Sequence, residues 1–268
     1  MTTKVHEKLL LTGAAGILGK ALRERLKANC TVLRLSDVRG VGDAAAGEEV
    51  ILADLADASA VCRMVEGVNA IVHLGGVSVE GPLGPILQAN ILGACNLYEA
   101  ARKHGVKRVV FASSNHVTGF YRQDQTITAD DPPRPDGLYG LSKAFGEDLA
   151  RLYFDRYGIE TACVRIGSSF PEPQDRRMLA TWLSFDDLHR LVTACLTTPV
   201  LGHSIIFGMS DNAVTWWDNS RARHIGYVPK DSSDVFRDAI YAATRQPDLT
   251  DPAVIYQGGA FVTTGPFG

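Results

Sequence analysis

The sequence lacks the features of several large classes of protein. Its five cysteines are scattered and form no Cys-x-x-Cys pair, a usage typical of a reducing compartment rather than of disulfides or thiolate metal sites. Its seven histidines show no metal-ligand spacing, so no metal is predicted. No apolar run approaches membrane-spanning length, and the N-terminal run is too short for a signal peptide. We therefore expect a cytoplasmic protein with no membrane partner.

Charge and length narrow the possibilities further. The formal net charge of −3 and the lack of a basic run argue against a nucleic-acid partner. The 268 residues contain no internal repeat and no flexible linker, and they suffice for one large domain or for a domain with a small appendage. The ordinary apolar content is typical of a globular fold.

Short apolar runs alternate with segments of helical periodicity along most of the chain. Six predicted strands and five helices in this order indicate an α/β fold, a Rossmann-type doubly wound parallel sheet. The third strand is predicted over 49–57, and one uninterrupted amphipathic helix over 84–104. A long helix is expected to start near Leu138 and to end at Gly158, and a further strand is predicted near 203–209.

A glycine-rich turn follows the first predicted strand and opens a helix. Gly13 would permit a tight turn, Gly16 would let a pyrophosphate approach the helix N-terminus, and Gly19 would let helix and strand pack closely. The spacing Gly-x-x-Gly-x-x-Gly in this context predicts dinucleotide binding. A turn with only a structural role is the alternative.

Acidic residues follow the second and third predicted strands. Asp37 lies about 20 positions beyond the glycines, where a carboxylate binds a ribose diol and repels a 2′-phosphate, so NAD is favoured over NADP. Arg39 weakens this preference, and an exposed turn aspartate is the alternative. Asp54 could accept a hydrogen bond from an adenine amino group, while Asp54 or Asp57 could equally cap the next helix.

Other polar and small residues mark the ends of later strands. Gly75 and Gly76 end the fourth strand and would let backbone lie against a cofactor. His73 within that strand is interpreted as a buried histidine with a structural partner. A polar cluster from Ser113 to His116 ends the fifth strand, which is where ligands bind in parallel sheets.

Tyr139 and Lys143 are spaced to share one face of the long helix. A tyrosine has a pKa of about 10, and a nearby cation favours phenolate and lowers that pKa. A shift of roughly three units needs about 4 kcal/mol, which a lysine together with a nicotinamide cation could supply. The pair therefore suggests a phenolate base. By itself it also fits a surface lysine beside a half-buried tyrosine.

The ordered set of motifs resembles the extended short-chain dehydrogenase/reductase superfamily. The resemblance is carried by TGAAGILG, Asp37, Asp54-Leu55, VHLGG, NILGACNLYEAA, VVFASSN and Tyr139-x-x-x-Lys143, with departures at Ile17 and at Val117-Thr118-Gly119. It implies that Tyr139 is the general base, supported by Lys143, and that Ser114 rather than Ser113 holds the reacting oxygen. It also implies a proton-relay role for Asn90, for which a structural hydrogen bond is the alternative.

Within the superfamily, the chain is most similar to the uronate dehydrogenase family. The strings HLGGVSVEGP, ILQANILGACNLYEAAR, RPDGLYGLSKAFGE, VRIGSSFPEP, RRMLATW, WWDNS and QGGAFV carry this resemblance into the second half of the chain. It implies NAD-dependent oxidation of hexuronic acids, galacturonate and glucuronate, at C1 to the aldarolactone. A carboxylate substrate needs a fixed cation. Arg176 and Arg177 are equal candidates by position, and RRML singles out Arg177.

The resemblance also implies two sets of contacts. The cofactor-binding residues would be Gly13, Gly16, Ile17, Leu18, Gly19, Asp37, Asp54, Leu55, Leu74, Gly75, Gly76, Tyr139, Lys143 and Ile166. The substrate-binding residues would be Ser78, Ser114, Asn115, His116, Ser168, Arg177 and Phe261. His116 acting as an independent general base is a further alternative.

We expect residues 1–166 to form an NAD-binding Rossmann domain and residues 167–268 a small substrate-binding portion packed on it as one compact unit. A homo-oligomer is expected, since superfamily members commonly dimerise through the helices that bear Asn90 and Tyr139. Two alternatives to the function remain. A nucleotide-sugar epimerase or dehydratase shares the Ser/Tyr/Lys set, and a non-catalytic NAD sensor shares the fold.

Overall fold

The computed structural model describes residues 5–265 and 267. Its strands are β1 (His6–Thr12), β2 (Cys30–Ser36), β3 (Glu48–Val50), β4 (Ala70–His73), β5 (Arg108–Ser114), β6 (Ile127–Thr128), β7 (Glu160–Ile166), β8 (His203–Gly208) and β9 (Trp217–Asp218). Its α-helices are α1 (Ile17–Leu26), α2 (Ala58–Val65), α3 (Leu83–Ile86), α4 (Gly93–Lys103), α5 (Leu138–Tyr157), α6 (Met178–Thr181), α7 (Phe185–Thr197), α8 (Arg237–Ala243) and α9 (Pro252–Ile255). No helix within this part of the chain is long and apolar enough to cross a membrane.

Seven strands form one parallel sheet in the order β3-β2-β1-β4-β5-β7-β8. The chain moves outward from β1 to β3 and then returns to place β4 on the other side of β1, so the strand order reverses between β1 and β4. In such sheets ligands bind in the crevice beyond the carboxyl ends of the strands at this reversal. The predicted Rossmann-type fold is confirmed, and β8 extends the same sheet beyond residue 166.

The core occupies both faces of the sheet because consecutive strand residues point to opposite faces. In β1, Leu9 and Leu11 pack on one face with residues of α1 and α7, while Leu10 packs on the other with residues of α2, α4 and α5. All three leucines are fully buried. The continuous apolar run that marks β1 in the sequence is thus the signature of a strand covered on both sides.

Two predicted elements differ from those observed. β3 ends at Val50, and residues 51–57 continue as irregular chain toward the sheet's carboxyl edge, which an edge strand with one neighbour permits. The helix predicted over 84–104 contains a π-helical segment, Leu87–Leu92, between α3 and α4. This wider turn includes Asn90, whose buried amide bonds to neighbouring segments. Apolar periodicity does not reveal one inserted residue in a helix.

α5 runs its predicted length and ends at Gly158, which takes the left-handed conformation (φ 65°). It is held to the sheet by a buried ion pair. Arg165 on β7 donates to Glu147 on α5 through Nε (3.0 Å) and Nη2 (2.8 Å). Ser113 Oγ on β5 donates to the same carboxylate at 2.5 Å. The helix is therefore fixed against two neighbouring strands at once.

Replacing Arg165 with Met should lower the free energy of unfolding by about 3–5 kcal/mol, because it leaves the Glu147 carboxylate buried without its cation. Urea denaturation measures the change. Arg25→Met is the control: the Arg25–Asp186 pair is equally close (2.7 Å) with side chains 38% and 60% exposed, so its loss should cost about 1 kcal/mol or less. Equal losses in the two variants would contradict the role assigned to the buried pair.

Candidate active site

A cleft of about 1080 Å³ opens along the carboxyl ends of the central strands. Every residue that the sequence placed in the site lines it except Asn90. The lining residues from that set are Gly13, Gly16, Ile17, Leu18, Gly19, Asp37, Asp54, Leu55, Leu74, Gly75, Gly76, Ser78, Ser114, Asn115, His116, Tyr139, Lys143, Ile166, Ser168, Arg177 and Phe261. The fold thus brings together residues spread over some 250 positions of sequence.

The glycine turn forms one wall of this cleft. Gly13 has φ 70°, and a Cβ there would lie 2.7 Å from the carbonyl carbon of Leu74. A Cβ on Gly19 would lie 2.2 Å from Gly13 O, so β1 and α1 approach more closely than any side chain allows. Gly16 caps α1 without a side-chain hydrogen bond. The free N–H groups of the first turn and the helix dipole favour an anion there.

Asp37 follows β2 directly, and its side chain is 8% exposed, so it is not an exposed turn residue. Its carboxylate accepts hydrogen bonds from Ala15 N and Arg39 N, both at 3.0 Å, which ties the glycine turn to the end of β2. The Asp57 side chain caps α2 by accepting from two backbone N–H groups. The Asp54 side chain accepts only from Ala56 N among the described residues, and Asp54 lines the cleft.

Asn90 supports the cleft from behind. Its Oδ1 accepts from Val77 N (2.8 Å), and its Nδ2 donates to Val77 O (3.0 Å) and to Ser142 Oγ (2.8 Å). These bonds join the Gly75–Ser78 segment to α5. The structural hydrogen bond proposed as an alternative for Asn90 is what the structure contains. His73 is likewise buried and bonded to Thr12 Oγ1 (2.7 Å), and burial and the charge of Lys143 lower its pKa to about 3.

Tyr139 and Lys143 lie buried on one face of α5, as their spacing predicts. The Lys143 ammonium lies 5.7 Å from the Tyr139 ring centroid and 5.3 Å from that of Phe111. Burial raises the pKa of Tyr139 to about 12, against the lowering effect of a hydrogen bond with Ser114. The lowering of that pKa by Lys143 together with a nicotinamide cation stays a prediction. Burial also lowers the pKa of Lys143 to about 8.

The two arginines of the RRML string diverge. Arg176 stacks over Tyr241 at 4.4 Å and donates to Thr244 and Gln246, away from the cleft. Arg177 faces the cleft, where its Nε donates to Gln257 O (2.6 Å) and its Nη1 to Ser168 Oγ (3.4 Å). When the Asn115 side chain is oriented so that its amide oxygen and its amide nitrogen both form hydrogen bonds, Arg177 Nη2 donates to Asn115 Oδ1 at 2.7 Å.

Sequence reasoning missed three residues that shape the site through distant contacts. Glu80 accepts from Leu138 N (3.0 Å) and Tyr139 N (2.8 Å), so it caps α5 from another segment. Asp136 bonds to His116 Nδ1 at 2.6 Å. Gln257 is buried and ties the tail to Trp217, Arg122 and Gln125. No local pattern predicts these partners, since each lies 20 or more residues from its contact.

These features define a dinucleotide-binding protein of the short-chain dehydrogenase type. They are the doubly wound parallel sheet, the glycine turn at its strand reversal, the acidic residue after β2 and the buried Ser/Tyr/Lys set. The family model for the NAD dependent epimerase/dehydratase family matches residues 9–185. Uronate dehydrogenase from Pseudomonas putida is 60% identical over 268 residues, which cover 100% of both chains.

Solved structures agree with this class. Glucuronic acid dehydrogenase from Chromohalobacter salexigens is 52% identical with a TM-score of 0.96, over 97% of this chain and 98% of that one. A mutant uronate dehydrogenase from Agrobacterium tumefaciens complexed with NAD is 52% identical with a TM-score of 0.95 and the same coverage. The chain belongs to the NAD dependent epimerase/dehydratase family and, within it, to the uronate dehydrogenases.

Glu80→Ala should lower both stability and turnover, because it removes two charge-assisted acceptors from the first turn of the helix that carries Tyr139. The expected loss is about 0.5–2 kcal/mol in unfolding free energy, with a reduced kcat. Asp57→Ala is the matched control, since it removes two similar bonds from α2, outside the cleft lining. It should lose comparable stability and keep its kcat. Unchanged kcat in both variants would refute the positioning role of Glu80.

Proposed function

We propose that the protein is an NAD-dependent uronate dehydrogenase that oxidises galacturonate and glucuronate at C1 to the aldarolactone. The observation that carries this proposal is the Arg177 guanidinium in the same cleft as Tyr139, Lys143 and Ser114. A cation that faces a catalytic set across a cleft suits a small sugar with a carboxylate at one end and a reacting carbon at the other.

Arg177 is a half-buried cation without an anion of its own among the described residues. Among the described residues, no carboxylate oxygen lies within 4.0 Å of it. Burial lowers its pKa, with Asp175 and Asp136 acting against that effect from a distance. A guanidinium has five N–H donors, and the three protein contacts leave two for a ligand. Two parallel N–H donors match the two oxygens of a carboxylate.

The residues of the other half of the cleft fit NAD. The N-terminus of α1 and the close glycines suit the pyrophosphate, and the anionic Asp37 suits the ribose diol of NAD. The bound cofactor supplies the acceptor for the hydride that leaves C1. Ser114 holds the reacting oxygen, and Tyr139 Oη receives its proton. Lys143 is cationic below its pKa of about 8 and stabilises the phenolate electrostatically.

The cofactor contacts fall mainly in residues 1–166, and Ser168, Arg177 and Phe261 come from 167–268, which supports the proposed division of labour. The second portion shares the sheet through β8, which supports one compact unit. A homo-oligomer is supported by the exposed apolar side chains of α5, Leu141, Phe145 and Leu152. Cys62, Cys95, Cys163 and Cys195 form no disulfide within the described part of the chain, which supports a cytoplasmic location.

Arg177→Met should reduce kcat/KM for galacturonate about a hundredfold or more, because it removes the bidentate partner of the substrate carboxylate. NADH absorbance follows turnover of galacturonate, glucuronate and neutral galactose by purified protein. Arg176→Met is the matched control, since the Arg176 guanidinium lies outside the cleft. It should retain nearly full activity, and galactose should react poorly with every variant.

Two outcomes of that assay would refute the proposal. Turnover of a nucleotide sugar but of no free uronate would identify an epimerase or dehydratase. Tight NAD binding without turnover of either class would identify a sensor. Equal losses in Arg176→Met and Arg177→Met would separately remove Arg177 from the substrate contacts.

The pH dependence of kcat/KM tests the proposed role of Tyr139 as the general base. Tyr139 acts only without its proton, and its pKa of about 12 lies above neutrality, so kcat/KM at saturating NAD should rise with pH from about 6. Lys143→Met removes the neighbouring cation, which should lower the rate at neutral pH and move the rising limb to higher pH. Tyr139→Phe should abolish the rise. An identical profile in wild type and Lys143→Met would contradict the assigned role.

A further inference from the structure

A buried histidine–carboxylate pair stands beside the proposed base. His116 Nδ1 lies 2.6 Å from Asp136 Oδ2, and the aspartate side chain is fully buried. The His116 ring stacks on Phe261 with centroids 3.8 Å apart and meets the edge of the Tyr139 ring at 5.9 Å. The ring therefore has one orientation, fixed by a hydrogen bond at one end and by stacking on its face.

The backbone is shaped around the Asp136 carboxylate. A Cβ on Gly119 would lie 1.9 Å from Asp136 Oδ2, and a Cβ on Gly258 would lie 2.0 Å from the same oxygen. Two separate segments, one after β5 and one in the tail, thus leave room for this carboxylate by having no side chain. Its other oxygen, Oδ1, is buried without a partner among the described residues. A buried carboxylate oxygen without a bond is costly, so the remaining contact with His116 has a specific role.

Capping does not explain Asp136. It lies two residues before α5, where an aspartate usually caps a helix, yet Gly137 is the N-cap and makes no side-chain cap hydrogen bond. Glu80 accepts from the N–H groups of Leu138 and Tyr139 instead. The contact with His116 is the only side-chain hydrogen bond of Asp136 within the described ranges.

We propose that Asp136 is a positioning residue that holds the proton of neutral His116 on Nδ1, so that Nε2 presents a hydrogen-bond acceptor to a hydroxyl of the substrate. A carboxylate accepts a hydrogen bond and cannot donate one, so Nδ1 must be the protonated nitrogen. Within residues 5–265, Nε2 makes no hydrogen bond and is not among the buried atoms without a partner, and the ring lines the cleft.

This role complements that of Arg177 on the same cleft. Arg177 offers only N–H groups, whereas a sugar hydroxyl needs acceptors as well as donors. An acceptor fixed close to Tyr139 selects for a hydroxyl at one position of the ring. A site that leaves such an acceptor unpaired discriminates against a sugar without that hydroxyl. The inference rests on the proposed function for the identity of the sugar, but not for the position of the proton.

The tautomer is measured directly by ¹⁵N NMR of the free protein with labelled histidine, with His116→Gln used to assign the signal. We expect a protonated Nδ1 and an unprotonated Nε2 near neutral pH. A proton on Nε2, or on both nitrogens, would overturn the proposal. This readout needs no turnover, so it stands whether or not the protein oxidises uronates.

Kinetics then test the link to substrate. For one member of a series of monodeoxy galacturonates, the kcat/KM of the wild-type enzyme should be about ten- to hundredfold lower than for galacturonate. With Asp136→Asn, that penalty should shrink severalfold while the penalties for the other deoxy sugars stay the same. Asp131→Asn is the control, because the Asp131 carboxylate lies in the same loop as Asp136 but accepts from Thr128 N and does not line the cleft. This variant should show the same penalties as wild type for every deoxy sugar. Equal penalties in wild type and Asp136→Asn would overturn the proposal.

Discussion

The buried ion pair between Glu147 and Arg165 sets the geometry on which the site depends. Tyr139, Lys143 and Glu147 lie four residues apart along α5 and share one face. Because the Glu147 carboxylate bonds to Ser113 on β5 and to Arg165 on β7, this face of α5 is held in a fixed position on both strands. The phenol of Tyr139 consequently meets Ser114, the next residue of β5. A charge pair in the core thereby fixes the positions of Ser114, Tyr139 and Lys143 at the edge of the sheet.

The site concentrates unpaired positive charge in a protein of net negative charge. Most arginines of the described chain have carboxylate partners, as Arg23, Arg34 and Arg108 do. Lys143 and Arg177 have none within 4.0 Å, and burial lowers the pKa of both. Desolvated cations without anions are costly in a folded chain. A bound anion would offset that cost, which couples the electrostatics of the fold to ligand binding.

The sequence predicted what depends on local pattern. The glycine turn, Asp37 and the Tyr139/Lys143 spacing are local features, and the order of strands and helices placed them at one sheet edge. The π-helical turn at Asn90, the Glu80 cap and the Asp136–His116 bond depend on tertiary contacts that no periodicity encodes. The rise in the pKa of Tyr139 likewise comes from burial, which is a property of the whole fold. The Arg176/Arg177 choice needed the tail, whose Gln257 orients Arg177.

Ser113 and Ser114 show how tightly chemistry and folding are joined in β5. Ser113 meets the Glu147–Arg165 ion pair, and Ser114, the last residue of the strand, meets the Tyr139 phenol. Position along the strand therefore distinguishes two chemically identical side chains. A one-residue deletion earlier in β5 would put Ser114 in the place of Ser113 and Asn115 in the place of Ser114. Such indels should be eliminated by selection in this strand, even where the substitution of either serine alone is tolerated by the fold.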